Sequence, residues 1–486
     1  MRLRILPLVL ALSACSLTPA LIKPALPVPE AFPTESGPET QAHAADLGWR
    51  TMFGDRRLQR LIERALANNR DLRLAVLNVE AVRAQYNIQR AARLPGIDAT
   101  GSASRQRTAA NDGVSPAVAA ANQEQYGVNV GLNAFEIDLF GRVRSLSDAA
   151  FARYLASDEG RLAVQISLVG AVADAYFAER LAQEQLQLAE HTLADWRQSL
   201  DLARRLKTAK QNSGLDIAQA EGQVASAEAD LEARTRALAQ ARNALQRLVG
   251  AGLPANLPEP LSLEAQPVVT RLPAGLPSEL LIRRPDIRQA EQNLVAANAD
   301  IGAARAAFFP RLSLTASLGY ASPAMGGLFD DGHRVWSFSP QITQPLFQGG
   351  RLRAELRLAE LRLAELRLAE LRKSSAIAEY ERTIQTAFRE VADGLAGRAT
   401  YGRQIDAQIR AVASAERRVE LSTLRYRAGV EGRLELLDSQ RQLYASQQAL
   451  LDLRQGAFSN AVALYKALGG GLTETDVAPA DRATSE

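Results

Sequence analysis

Cysteine occurs once in the 486 residues, and histidine three times, at the widely separated His43, His191 and His333. That excludes a disulfide framework and a Cys/His zinc site, and no metal or cofactor is expected. Aromatic residues are 5% of the chain, too few to fill a large globular core with bulky rings. An excess of one charge is missing too. Lys and Arg number 57 against 54 Asp and Glu, a net of +3, so no basic face for nucleic acid is expected. The chain carries no P-loop, dinucleotide fingerprint, G-x-S-x-G elbow or paired His ligands, which argues against an enzyme. What remains in quantity is Ala, Leu, Arg, Glu and Gln, the composition of long helices in close contact.

The chain opens with a basic Met1-Arg2-Leu3-Arg4 and an apolar run from Ile5 to Leu12. The run is shorter than the roughly 20 residues a membrane-spanning helix needs, and it fits a secretory signal peptide. Leu12-Ser13-Ala14-Cys15 follows and resembles the lipobox of bacterial lipoproteins, which makes Cys15 the lipidated mature N-terminus after a signal peptide at 1–14. Ser16 after the cysteine permits sorting to the outer membrane.

The chain is written twice. Residues 69–95 align without gaps on 284–310, pairing Asp71 with Asp286, Arg73 with Arg288, Asn78 with Asn293 and Pro95 with Pro310. Beyond Val172 and Val391 the offset is 219 rather than 215. A period this long is an internal duplication, not a solenoid. The expected organisation is an extended N-terminal segment at 15–55, a first repeat at 56–250, a Pro-rich connector at 251–278, a second repeat at 279–469 and a tail at 470–486. Each repeat reads helix, two strands, long helix, turn, helix. Four segments alternate apolar with small polar residues: Ile97–Ser104, Tyr126–Asn133, Leu312–Tyr320 and Trp336–Thr343. This two-residue period over about ten residues is that of membrane β-strands. Four strands cannot close a barrel alone, so an oligomer is expected, and twelve strands from three chains leave room for a passage.

Helices are expected at 56–93, 142–211 and 215–249, the second about 100 Å long. A helix of that length needs a coiled-coil-like array to lie in. Glu435 and Asp438 are three apart and share one helix face. The first turn, near 207–214, lacks the glycine that Gly429 supplies in the second and reads one residue longer. Before Val391 the sequence stutters through three copies of Arg-Leu-Ala-Glu-Leu from Arg357. Ten surplus residues rotate a helix face by about 1000°, so the expectation is a bulge that keeps the far turn in register.

These features resemble the TolC-like outer membrane factor family, in particular its lipid-anchored members serving resistance-nodulation-division efflux pumps. The residues that carry the likeness are Leu280–Glu291, Ala306–Pro310, Pro345–Arg351, Phe140–Arg142 and Leu424–Val430. The resemblance implies a mainly α, internally duplicated fold. Each chain gives four strands to a trimeric twelve-stranded outer-membrane β-barrel, with a long periplasmic α-helical barrel below. It implies an exit duct for small molecules, with a periplasmic adaptor, an inner-membrane pump and outer membrane lipids as partners. By the same resemblance Tyr426, Leu434, Glu435 and Asp438 narrow the tunnel, and Arg425 ties its tip to a neighbouring chain. Lys207, Gly214, Gly429 and Gly432, at the two turns, meet the adaptor. The alternatives are a type I protein secretion duct and a non-pore structural lipoprotein.

Overall fold

The structure is a computed structural model and describes residues 17–22, 24–29, 32, 46–108, 121–210, 213–254, 256–272, 282–344, 352–430 and 432–475. Cys15, the Pro345–Arg351 motif and most of both tails lie outside them. In order the elements are α1 Trp49–Met52, α2 Arg56–Asn68, α3 Arg70–Ala91, β1 Asp98–Thr108, β2 Ala121–Ile137, α4 Arg142–Thr208 and α5 Gly214–Val249. The second half gives α6 Pro285–Ala306, β3 Arg311–Ser322, β4 Arg334–Thr343, α7 Leu352–Arg427 and α8 Arg433–Ala467. They form two compact units, one of residues 1–24, 79–157 and 290–380 and one of 25–78, 158–289 and 381–486.

The first unit holds an antiparallel sheet in the order β1-β2-β3-β4. Register puts Ala103 opposite Tyr126, Val128 opposite Tyr320, Val130 opposite Leu318, and Leu318 opposite Trp336. One face is therefore apolar from these pairs to the strand ends at Leu312 and Ile342, with Arg105, Glu124 and Arg334 at its opposite margin. It is also open: Val130, Leu318, Trp336, Phe338 and Ile342 are all exposed, an arrangement that suits lipid rather than water. The other face carries small polar residues, among them Ser317 and Ser337, whose hydroxyls meet at 2.8 Å. A bulge between Leu132 and Phe135 shifts the register by one residue. Ala134 there takes a φ of +50° and donates its N–H to Thr315 Oγ1 at 3.1 Å. The extra residue reverses parity, so that Phe135 and Ile137 stay on the apolar face opposite Leu314 and Leu312.

The second unit has its core where α1, α2, α4, α7 and α8 converge. Met52, Phe53, Leu61, Ile62, Tyr176, Phe177, Leu395 and Leu464 are buried there. Asp55 caps α2, accepting the Arg57 N–H at 2.8 Å. Its other oxygen accepts the Tyr176 hydroxyl at 2.5 Å. Burial first, then this bond, raises the Tyr176 pKa above its ordinary value. Tyr176→Phe should cost about 1–3 kcal/mol by leaving a buried carboxylate oxygen without its donor; urea midpoints of the detergent-solubilised protein measure it.

Two expectations need correction. The helix expected over 56–93 breaks at Asn69, which has extended backbone. Its Oδ1 accepts the Leu72 N–H at 2.9 Å and its Nδ2 donates to Leu248 O at 2.8 Å. A new N-cap is worth more here than helix continuity. The expected bulge in the stutter does not form either, because α7 runs unbroken from Leu352 to Arg427. The residues of the stutter are strong helix formers without Gly or Pro, whereas a bulge would strand backbone groups. The far end keeps the repeat offset: Arg441 Nε donates to Gln223 Oε1 at 2.7 Å, 218 residues away. The surplus is taken up as extra helix at the start of α7.

Candidate functional site

Two hairpin turns in the second unit, α4 to α5 and α7 to α8, hold the residues singled out by the sequence. Each joins its helices through five residues, 209–213 and 428–432. The first turn is thus not longer than the second, and the offset of 219 runs straight through both. The second ends α7 in a Schellman motif: Gly429 N–H donates to Tyr426 O and Val430 N–H to Arg425 O, both at 3.0 Å. Gly429 holds φ +71°. In the first turn Lys210 occupies the same place with φ +59° and donates its N–H to Lys207 O at 2.9 Å. The helix end keeps its left-handed residue without the glycine, and a lysine bears the strain. Lys210→Gly should stabilise this tip by about 0.5–1 kcal/mol, read as slower amide exchange over 205–213.

The start of α5 is closed by a capping box between Ser213 and Asp216. Lys207 reaches over Gly214, its Nζ 3.8 Å from where a Cβ there would stand. Gly432 caps α8 by backbone shape alone. Leu434 and Leu215, equivalent across the duplication, are 69% and 67% exposed, so each tip presents an apolar rim. The Tyr426 hydroxyl is buried and meets no hydrogen-bond partner among the described residues.

Glu435 and Asp438 do share one face of α8, and both are held by a residue the sequence reading missed. Arg418 on α7 donates from Nη2 to Glu435 Oε1 at 2.7 Å and to Asp438 Oδ2 at 2.8 Å, and from Nε to Glu435 at 3.1 Å. These bonds and the two negative charges raise the Arg418 pKa. Arg418 precedes Glu435 by 17 residues across the turn, the same separation as Arg204 from its partner Glu221 in the first hairpin, a regularity that shows only once the turns are placed.

Beneath the tips α8 is fixed to the first hairpin. Leu437 packs with Leu193, Trp196, Leu200, Ala220 and Val224. Arg433, 4% exposed, reaches Ser199 Oγ at 3.2 Å, and the Tyr444 hydroxyl donates to Asp230. Burial and this carboxylate push the Tyr444 pKa up to about 12.

Comparison with known proteins gives one answer. Residues 61–251 and 276–470 match the model of the family described as outer membrane efflux protein. A probable efflux pump outer membrane protein of Pseudomonas putida, TtgC, is 45% identical over 470 residues, 95% of this chain and 94% of that protein. The cation efflux system protein CusC of Escherichia coli is 41% identical over 466 residues, 95% of this chain and 97% of that protein. Among solved structures, the open state of the Neisseria gonorrhoeae MtrE outer membrane channel superposes with a TM-score of 0.85 at 40% identity, covering 96% of this chain and all of that one.

Proposed function

The chain belongs to the outer membrane efflux protein family, and from that membership we propose that its second hairpin tip is the gate of an exit duct. The duct itself comes with the family: the chain is an outer membrane channel, the outermost component of a tripartite efflux pump. The family is one of transport channels.

The observation that carries the gate is the clasp of Arg418 on Glu435 and Asp438. The four-stranded sheet ends at β1 and β4, which have no further strand partner among the described residues. Pairing those edges between copies supports a homotrimer and a twelve-stranded barrel, apolar outside and polar within. Threefold symmetry then turns the clasp into six carboxylates and three guanidinium groups around one axis. The net charge of that ring is negative, a field that favours cations. Leu434 and Tyr426 narrow the same opening, and Arg425 meets the neighbouring chain. The turns at Lys207, Gly214, Gly429 and Gly432 receive the periplasmic adaptor, with a resistance-nodulation-division pump beyond it. Cys15 carries the lipid that fastens the chain to the outer membrane. Small toxic molecules are the cargo, a reading supported by relatives named for toluene, solvent and antibiotic efflux.

Single-channel conductance of the purified protein in a planar bilayer tests this. Wild type should give small cation-selective openings, and Glu435→Ala with Asp438→Ala larger ones that have lost selectivity. Openings unchanged by the double substitution would remove these residues from the gate. Absence of conductance from a folded monomer would remove the trimeric duct.

A further inference from the structure

Within the first unit, Thr18 and Pro19 of the N-terminal segment lie as a strap against the second-copy helix α6. A Cβ on Gly302 would stand 2.9 Å from Thr18 Cα and 3.0 Å from Ser145 Oγ, so the strap backbone sits where only glycine leaves room. One helical turn earlier, Asn298 Nδ2 donates to Pro19 O at 2.8 Å. Lys373 Nζ in turn donates to Asn298 Oδ1 at 2.8 Å, which fixes the amide's orientation. Thr18 Oγ1 and Ser145 Oγ are 3.2 Å apart. The duplication supplies an internal control. At the offset of 215 that relates the two copies, Gly302 and Asn298 correspond to Asn87 and Arg83 on α3. The first copy has neither the missing side chain nor the amide.

We propose that the Asn298–Gly302 face of α6 is the seat of the membrane anchor, gripping the strap at Thr18 and Pro19 so that the lipid on Cys15 is held close to the sheet. The proposal rests on the reading that Cys15 is lipidated. Thr18 follows Cys15 by three residues, so the two Cα atoms are no more than about 11 Å apart. β3 begins at Arg311, five residues beyond the end of α6. The acyl chains therefore enter the bilayer beside the last turns of α6, and the leash between lipid and protein is three residues long. A leash this short fixes the depth of the sheet in the membrane, where a flexible tether of the whole N-terminal segment would not.

Thermolysin digestion of the purified, detergent-solubilised protein, followed by mass analysis of the N-terminal lipopeptide, tests the seat. In wild type, cleavage before Leu21, next to the gripped Thr18 and Pro19, should be slow. Gly302→Val and the milder Asn298→Ala should release the lipopeptide about tenfold faster, because the strap then opens locally while the rest stays folded. The first-copy control Asn87→Val should leave the rate unchanged. Equal rates in wild type and both seat variants would overturn the proposal. A wild-type N-terminus without acyl mass would overturn the lipid reading instead, and slow cleavage in that same sample would show the seat still gripping its strap.

Discussion

Arg418→Ala is expected to give a channel several-fold more cation-selective than wild type and open for a larger fraction of the time. The substitution removes a cation that touches both Glu435 and Asp438. In the proposed homotrimer, six carboxylates would then face one another without the three guanidinium groups that offset half their charge. Self-repulsion opens the tip and the deepened negative field draws cations into it. Folding should barely change, since the three side chains are 41%, 41% and 62% exposed and exposed ion pairs contribute little to stability. Ionic strength separates this from a packing effect. The Debye length is about 10 Å at 0.1 M salt and about 3 Å at 1 M, so the difference from wild type should fade as salt rises. Arg204→Ala, which breaks the pair with Glu221 in the first hairpin, should not reproduce it, because that pair holds a single carboxylate where Arg418 holds two. Selectivity in Arg418→Ala equal to wild type at low salt would end the electrostatic account.

The parts of this fold that the sequence made legible are those governed by local periodicity. Val128 and Val130 alternate with Asn129 and Gly131, and the same alternation in three other segments sufficed to find every strand. The parity change from Leu132 to Phe135 was not read, because it acquires meaning only once Ala316 and Leu314 are known to lie opposite. Capping choices were harder. Asn69 looked like one more residue in a helical stretch, although an asparagine followed two residues later by Asp71 is a reasonable helix start. The first turn was taken to differ from the second because glycine is the usual sign of a left-handed residue, whereas here Lys210 takes that conformation. The stutter was misread in the opposite direction: its helix propensity was recognised, but its leucines were assumed to need a single partner face. Glu435 and Asp438 could be paired by counting along one helix. Arg418 could not, because it comes from the other arm of the hairpin and only the position of the Gly429–Gly432 turn determines which residue faces which.

The duplication repeats more than strands and hairpins, and its repeated joint makes Arg284→Ala the most damaging single substitution expected outside the tips. Asn69 donates to Leu248 O, near the end of α5. Arg284, its equivalent at the offset of 215, donates to Ala467 O at 3.0 Å, at the end of α8. Behind each joint a glycine leaves its helix with positive φ, Gly250 at +71° and Gly469 at +85°. A Cβ on them would stand 2.5 Å from Asn68 O and 3.1 Å from Arg283 O, so both joints close on the same backbone contact. The second copy adds charge. Arg284 is 8% exposed and holds Asp286 through Nη2 at 2.6 Å and Glu390 through Nη1 at 2.8 Å, tying α6 and α7 to the carbonyl end of α8. Its cation also complements the negative pole of α8. Asn69→Ala removes a neutral cap and should cost about 1 kcal/mol. Arg284→Ala leaves two carboxylates and a buried carbonyl without their donor and should cost about 3 kcal/mol. Arg284→Lys should recover only part of this, since an ammonium cannot form the bidentate contact with Asp286. Denaturant unfolding in detergent, followed by fluorescence of the buried Trp49, ranks the three variants. If Arg284→Ala is no less stable than Asn69→Ala, the two joints are equivalent and the added charges contribute nothing to stability.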